Sequence, residues 1–385
     1  MSQVSGYSVA SYGKMIDCEP RMASYANALR EAITPGCTVI DIGASFGMFP
    51  ILACHYGAGK VIAIEPDPSV ELIMQLAKAN GCADRIEVFR GMSTEFEPDA
   101  PADVLISDLR GILPLFETHV ATIRDARERL LKPGGAQLPA KDTIHMGLVR
   151  SERLYRTASH PWRHNDYGVD LTPAIPFVVN RMAKAEMRAD EVASAPALFT
   201  QLDYHTIEAP DAENTVTLTA EGEGPVHGIA AWFDAEIAPG HSFSNAPGEP
   251  TQIYGQLFMP FERPVTMAAG TSVEVRLRAR LINGEYTMAW DSRFLDKANG
   301  ETLTAMHQSS FKSHILPPSL VQQRDATQVP TVTRDIAVER AILQLIDGET
   351  SVQQIAQKLL EAHPDMVTDY KSALDRATKA VLRYS

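Results

Sequence analysis

No apolar run in this chain reaches the ~18 residues that would carry a helix across a bilayer, so no membrane-spanning helix is expected. The first residues, Met1-Ser2-Gln3-Val4-Ser5, lack the basic region and apolar core of a signal peptide. Cysteine is scarce. Cys18, Cys37, Cys54 and Cys82 have no metal-type spacing and read as buried or idle thiols in a reducing cytoplasm. His205, His227 and His241 have no paired ligand spacing either, so no metal site is expected. Positive charge is also short. Lys and Arg number 35 against 48 Asp and Glu, a formal net charge of −13. That disfavours a nucleic-acid partner and tolerates a cationic substrate. The chain does have length and apolar content. Its 385 residues, 45% of them hydrophobic, imply two or three packed domains.

The apolar run Val39-Ile40-Asp41-Ile42 ends in Gly43-Ala44-Ser45-Phe46-Gly47, and a second run, Val61-Ile62-Ala63-Ile64, ends in Glu65. That layout suits a nucleoside cofactor lying across the carboxyl ends of adjacent parallel strands. A dinucleotide would need G-x-G-x-x-G to bring backbone against a pyrophosphate. Here Ser45 and Met48 occupy the second and third glycine positions. S-adenosylmethionine has no phosphate, so the loop has only to let a methionine moiety approach backbone. Gly43 and Gly47 can line it, and Glu65, 22 residues after Gly43, can accept from both ribose hydroxyls. The plainer reading is an ordinary strand-to-helix turn with Glu65 at a solvated strand end.

The pattern around this loop alternates. Strand 38–42, helix 46–56, strand 61–65, helix 68–80, strand 86–89, a strand through Val104-Leu105-Ile106 and a helix over roughly 117–131 predict a parallel sheet with right-handed crossovers. A helix over 21–32 precedes it. After Pro139, segments 214–220, 228–237, 252–259, 272–281 and 286–290 are short, rich in β-branched and aromatic residues and separated by turn clusters, which predicts an antiparallel sandwich or barrel. Three amphipathic helices follow at 337–346, 352–361 and 370–382, the second behind the capping pair Thr350-Ser351. The expected architecture is α/β: N-terminal cofactor-covering helices over 1–35, a Rossmann-like S-adenosylmethionine domain over 36–140, a β-barrel substrate and dimerisation domain over 141–330, and a small helical domain over 331–385.

Asp108 directly follows the strand through Ile106, and Glu117 lies nine positions on, beyond Gly111 and Pro114. Asp108 is therefore expected at the sheet edge that carries Gly43 and Glu65. Two carboxylates there could hold a cationic side chain and turn one nitrogen toward a methyl sulfonium. Alternatively, Asp108 caps a turn and Glu117 opens a helix.

The order Tyr12, Met15, Asp17, Arg21, Tyr25, then Asp41-Ile42-Gly43 with Gly47, Glu65, Ser107-Asp108 with Gly111 and Glu117, Arg127, and Leu131-Lys132-Pro133-Gly134-Gly135 with Pro139 resembles the protein arginine methyltransferases. The likeness continues through His227-Gly228, Trp232-Phe233-Asp234, Phe243-Ser244-Asn245, Pro247, Pro250-Thr251 and Gln256, covering roughly 7 to 295. It implies a dimer and S-adenosylmethionine as cofactor. Arg21 would clamp the cofactor's carboxylate, Gly43 and Gly47 would line its methionine moiety beside Asp41, Glu65 would take the ribose, and Met92 and Ser93 would face adenine. Asp108 and Glu117 would be the substrate-binding acids, with Tyr12, Arg110, Gln252 and Tyr254 on the acceptor side. The 150–180 stretch would be a dimerisation arm.

The chain also departs from that family. Thr94 stands where an acid is expected, and Asp108 is a methylene shorter than glutamate, drawing its oxygens back by roughly 1.5 Å. Arg110 replaces a methionine, and Thr251-Gln252-Ile253-Tyr254 lacks the usual histidine. A guanidinium facing the pocket would repel arginine and attract a carboxylate or phenolate; one facing solvent or paired with Asp108 would not. The C-terminal stretch from Val338 through Asp347-Gly348 to Leu359 is similar to small winged-helix peptide carriers, and equally to a packing appendage. Three functions follow: N-methylation of an arginine-type side chain on a peptide or free amino acid, O- or N-methylation of a small specialised metabolite, or a non-catalytic peptide-binding scaffold.

Overall fold

The computed structural model describes residues 9–315, 317, 327 and 329–384, so Met1–Ser5 lie outside it. The chain divides into two compact units after Ile315. Helices α1 (Val9–Ile16) and α2 (Glu19–Ala32) lead into a five-stranded sheet, and every strand pairing in it is parallel. Its strands are β1 (Thr38–Ile42), β2 (Lys60–Ile64), β3 (Ile86–Phe89), β4 (Ala102–Ser107) and β5 (Leu131–Leu138), in the order β3-β2-β1-β4-β5. Helices α3 (Met48–His55), α4 (Ile73–Ala79) and α5 (His119–Arg129) are the main crossovers. The strands are near-continuous apolar runs because both faces are covered; β1, β2 and β4 are buried almost throughout. Register then sets the site. Ile42 pairs with Ile64 and with Ser107, so Gly43, Glu65 and Asp108 leave the sheet side by side. The strand order turns back between β1 and β4, the crevice where open α/β sheets bind ligands.

Several expected boundaries move. Helix α5 begins at His119, because Glu117 adopts a left-handed backbone (φ 41°) that no helix accommodates. Lys132-Pro133-Gly134-Gly135, just after the helix expected to end near 131, lies inside β5: pairing jumps from Ala102↔Leu131 to Val104↔Ala136, so Pro133 and Gly134 sit in a bulge on an edge strand. Bulges and edges are where strands accept such residues.

Beyond Pro139 come β6 (Lys141–Val149), β7 (Ala183–Ala185), β8 (Ala197–Asp203), β9 (Ala212–Thr219), β10 (Gly224–Ala238), β11 (His241–Ser244), β12 (Gln256–Met267), β13 (Ser272–Ile282), β14 (Glu285–Leu295) and β15 (Thr302–Ser309). They form antiparallel sheets β7-β12-β10-β6-β8, with β11 on β10, and β15-β14-β13-β9. The sheets meet where β8 touches β9 and β12 touches β15, around a core that includes Phe233, Phe261 and Trp290. Strands β6, β7, β8, β11 and β15 have no counterpart among the predicted segments. The expected strand 252–259 begins only at Gln256, since Gly255 is left-handed and its N–H donates to Gln252 O. Residues 150–180 fold as α6 (Glu152–Arg163), capped by Ser151, and a short α7 (Ile175–Val178).

The second unit holds α8 (Arg334–Leu343), α9 (Val352–Ala362) and α10 (Tyr370–Tyr384), packed through Val338, Ile342, Ile355, Leu359, Ala373 and Ala377. Ser351 and Gln354 form a reciprocal cap on α9. Its described residues contain no strand, so the likeness to winged-helix carriers rests on helices alone.

In β10, a Cβ on Gly228 would lie 2.4 Å from the Met259 carbonyl oxygen and 3.0 Å from Pro260 Cα. Backbone cannot yield as a side-chain tip can. Gly228→Ala is expected to lower unfolding free energy by about 1–3 kcal/mol. Urea denaturation at wild-type midpoint would contradict the close approach.

Candidate active site

The loop after β1 is left-handed at Gly43, Ser45 and Gly47 (φ 76°, 52° and 94°). A Cβ on Gly43 would lie 2.5 Å from Leu109 Cδ2, and one on Gly47 3.0 Å from Ile73 Cγ2. Ser45 holds a conformation that costs a non-glycine residue energy. It is tied there by donating its N–H to Glu65 Oε2 at 2.8 Å. The Asp67 N–H takes Glu65 Oε1 at 2.8 Å. Each oxygen keeps lone-pair capacity for a further donor. Burial raises the Glu65 carboxyl above the ordinary range, against the pull of those two amides.

Asp41 is 1% exposed, and neither carboxylate oxygen accepts a hydrogen bond among the described residues. Burial first, then Glu65 and Asp108, push its carboxyl well above the usual range, with Arg21 opposing. A buried acceptor without a donor costs about 1–3 kcal/mol, more when charged. The position therefore calls for a cationic or donor group from outside the protein. An α-ammonium beside a backbone cradle open only at glycines meets that need, so these residues fit S-adenosylmethionine.

Around Asp108, three parts of the fold converge. Arg21, from α2, donates Nε to Asp108 Oδ2 at 2.6 Å; Tyr254, from the turn before β12, donates its hydroxyl to the same oxygen at 2.7 Å. Arg110 donates Nη1 to Oδ1 at 3.0 Å. Burial alone would raise the Asp108 carboxyl, but Arg21 and Arg110 outweigh it and hold it down at about 2. Arg21 Nη2 makes no hydrogen bond among the described residues, while its Nη1 donates to Met15 O. Glu117 contrasts with Asp108. It is exposed, it has no hydrogen bond or ion pair among the described residues, and partial desolvation followed by repulsion from Glu285 raises its carboxyl.

Residues 140–292 match the family described as the arginine methyltransferase oligomerization subdomain. The chain is 28% identical to an arginine N(omega)-methyltransferase of Streptomyces achromogenes subsp. streptozoticus over 268 residues, 68% of this chain and 74% of that one. It is 27% identical to a probable protein arginine N-methyltransferase 6.2 of Oryza sativa subsp. indica over 247 residues, 62% of each. In fold it resembles the Trypanosoma brucei PRMT1 enzyme–prozyme complex with AdoHcy, with a TM-score of 0.70, 21% identity, and coverage of 77% of this chain and 96% of that one. The chain is an S-adenosylmethionine-dependent methyltransferase that is similar to the protein arginine methyltransferases.

The remaining expected residues of this methyltransferase are placed unevenly. Tyr12 is buried, with its hydroxyl on Ser69 Oγ at 3.0 Å and its ring against Phe46. Met92 is exposed; Ser93 is buried, and its carbonyl accepts from Arg129. Where Thr94 replaces the expected acid, Glu95 is instead the carboxylate bonded to the Met92 N–H, at 3.1 Å. Gln252 is buried with Oε1 accepting from Cys18 Sγ, and its Nε2 has no partner among the described residues. Arg110, expected on the acceptor side, has no exposed side-chain surface. It lies beneath Asp108 with Nε and Nη2 on Asp142, at 2.8 and 2.9 Å. The alternative of pairing with Asp108 is the one the structure adopts.

Sequence reasoning gave no site role to four members of this cluster. Tyr25 OH accepts from Arg110 Nη1 at 2.6 Å and donates to Ser107 O. Asp142 also accepts from Tyr204 OH at 2.5 Å, and Tyr204 meets His119 Nε2 at 2.9 Å. Burial, then Arg110, depress His119 to about 3, so it is neutral. The one available signal was Arg110 itself: an arginine just after a buried strand needs a buried counter-ion.

The Asp41 carboxyl has a folded pKa above its unfolded value of about 4. Its ionisation therefore opposes folding at pH above that value and costs nothing below it. Asp41→Asn is expected to raise the melting temperature of the cofactor-free enzyme at pH 8 but not at pH 4. It should weaken S-adenosylmethionine about tenfold or more. Calorimetry and thermal scans read both; unchanged affinity would remove Asp41 from the cofactor site.

Proposed function

We propose that this enzyme transfers a methyl group to a nitrogen of an arginine-type side chain, on a peptide or a free amino acid. The observation that carries this reading is Asp108, which leaves the sheet beside Gly43 and Glu65, with Glu117 beyond it in the same loop, exposed and without a hydrogen bond or ion pair among the described residues. S-adenosylmethionine would supply the methyl on a sulfonium centre. Arg21, through Nη2, would bind the methionine carboxylate and Asp41 its ammonium, with Gly43 and Gly47 giving close backbone approach. Glu65 would take the ribose hydroxyls, and Met92 with Ser93 would face adenine. Glu117 would orient the acceptor by hydrogen bonds and accept the proton that nitrogen loses, the work of a carboxylate with a raised pKa. Asp108 would remain a fixed anion throughout. The compensated charge on Asp108 favours a second reading, methylation of a small uncharged or anionic metabolite. Methyl transfer across a panel of arginine peptides, free amino acids, phenols and small acids separates the two. Four buried free thiols suit a reducing, cytoplasmic setting.

The second partner is another copy of the chain. The arm over 150–180 exposes Tyr167 (87%), Val169, Leu171 and Phe177, and lies within the matched oligomerization region. The outer face of α2 and α3 offers an apolar groove with Ile16, Met22, Met48 and Leu52, edged by Asp17 and Glu19. Arg153, Arg156 and Arg163 on α6 complement those acids.

Two outcomes are expected. Glu117→Gln should lower kcat by about 10²–10⁴-fold with cofactor affinity retained. In the wild type, kcat should fall as pH drops through a pKa above the ordinary glutamate value, since Glu117 works ionised. A rate indifferent to the substitution would remove Glu117 from catalysis. Tyr167→Glu with Leu171→Glu should halve the mass seen by light scattering, and an unchanged mass would exclude the arm as the contact.

A further inference from the structure

Asp108 stands where a carboxylate that grips an acceptor belongs, yet the protein itself has taken most of its bonding capacity. An ionised carboxylate offers about four lone-pair sites. Arg21 Nε and Tyr254 OH use two on Oδ2, and Arg110 Nη1 uses one on Oδ1. Two of these donors are guanidinium groups. Arg110 cannot turn away, because Asp142 clamps it fork to fork and neither side chain is exposed. Tyr204 bonds to Asp142, and Tyr25 bonds to Arg110 from the far side. Arg21 and Arg110 against Asp108 and Asp142 sum to no net charge. Glu117 is the one acid of the expected pair with no hydrogen bond or ion pair among the described residues.

We propose that the Arg110–Asp142 pair determines acceptor specificity. By holding a donor on Asp108 Oδ1 from beneath, it leaves Glu117 as the single carboxylate free to grip a cationic acceptor. Arg110 touches no acceptor and acts as a positioning residue. A grip through one carboxylate makes fewer charge-assisted hydrogen bonds to a guanidinium than a grip through two. The site therefore holds arginine weakly and admits nitrogen acceptors of lower charge, which a site with two free carboxylates would reject. The inference rests on the arginine-type acceptor proposed above.

The test replaces the pair as a unit. Arg110→Met with Asp142→Asn removes both charges and keeps an acceptor for the Tyr204 hydroxyl. KM for an arginine peptide is expected to fall about tenfold, with kcat changing less. Arg110→Lys, which keeps the charge, should restore a KM near wild type. An unchanged KM alongside a lowered melting temperature would make the pair structural only and overturn the proposal. A second measurement avoids the buried cluster. In the complex with S-adenosylhomocysteine, Glu117→Gln should abolish the calorimetric preference for an arginine peptide over its citrulline counterpart. A preference that persists means Asp108 shares the grip, and the proposal fails. If neither wild type nor the double variant methylates any guanidino peptide, the acceptor reading fails instead. Peptide affinity in the S-adenosylhomocysteine complex then decides this point: tighter binding by the double variant supports it, and equal binding overturns it.

Discussion

The carboxylate of Asp108, buried between two guanidinium groups, is the interaction on which the rest of the site depends. A buried charge is tolerated only when it is paired and fully hydrogen-bonded. Here the partners come from separate elements: Arg21 from α2, Tyr254 from the turn before β12, and Arg110 from the loop that Asp108 itself begins. Arg110 is fastened in turn to Asp142 on β6. One side chain thus joins the N-terminal helices, the parallel sheet and the barrel. The charges must be assembled together, because removing any one leaves another buried without compensation.

This arrangement divides the site into two electrostatic halves. On the Gly43 side, Asp41 lies near Glu65 and Asp108 and has no donor among the described residues. On the Arg110 side, Asp108 has more donors than its charge requires. The loop from Asp108 to Arg110 joins the halves. A Cβ on Gly43 would strike Leu109, the residue between Asp108 and Arg110, so the glycine that opens the cofactor loop also lets the acceptor loop pack against it.

Much of the cofactor half was legible in the sequence. Continuous apolar strands ending in Gly43, Glu65 and Asp108 can align only one way in a parallel sheet, and the observed register places the three side by side. Ser45 at the middle glycine position was legible as a departure, but not its remedy, because the Glu65 carboxylate that anchors its N–H is 20 residues away. The acceptor half was less legible for a definite reason. Arg110 meets Asp142 across 32 residues and Tyr25 across 85, contacts made by packing between layers and not by any local pattern. Lys141-Asp142-Thr143 reads as the start of a strand and says nothing about which charge it will meet. Local signals also misled at two boundaries. Pro133 and Gly134 punctuate the sequence like a turn but are absorbed by a bulge. The segment from Gln252 reads as strand until Gly255, where a left-handed residue bends the chain and brings Tyr254 over Asp108.

That bend explains how the site can be ready before any ligand arrives. Tyr254 is held by ring packing against Phe243 and Phe233, so its hydroxyl reaches Asp108 without a rotamer search. Arg21 is fixed through Nε and Nη1, which leaves Nη2 facing no protein partner among the described residues. A carboxylate can bind there without breaking the Arg21–Asp108 bond, so cofactor binding need not dismantle the cluster. Groups held in place beforehand cost little reorganisation when they act. The cluster therefore meets the large cost of desolvating its charges once, during folding.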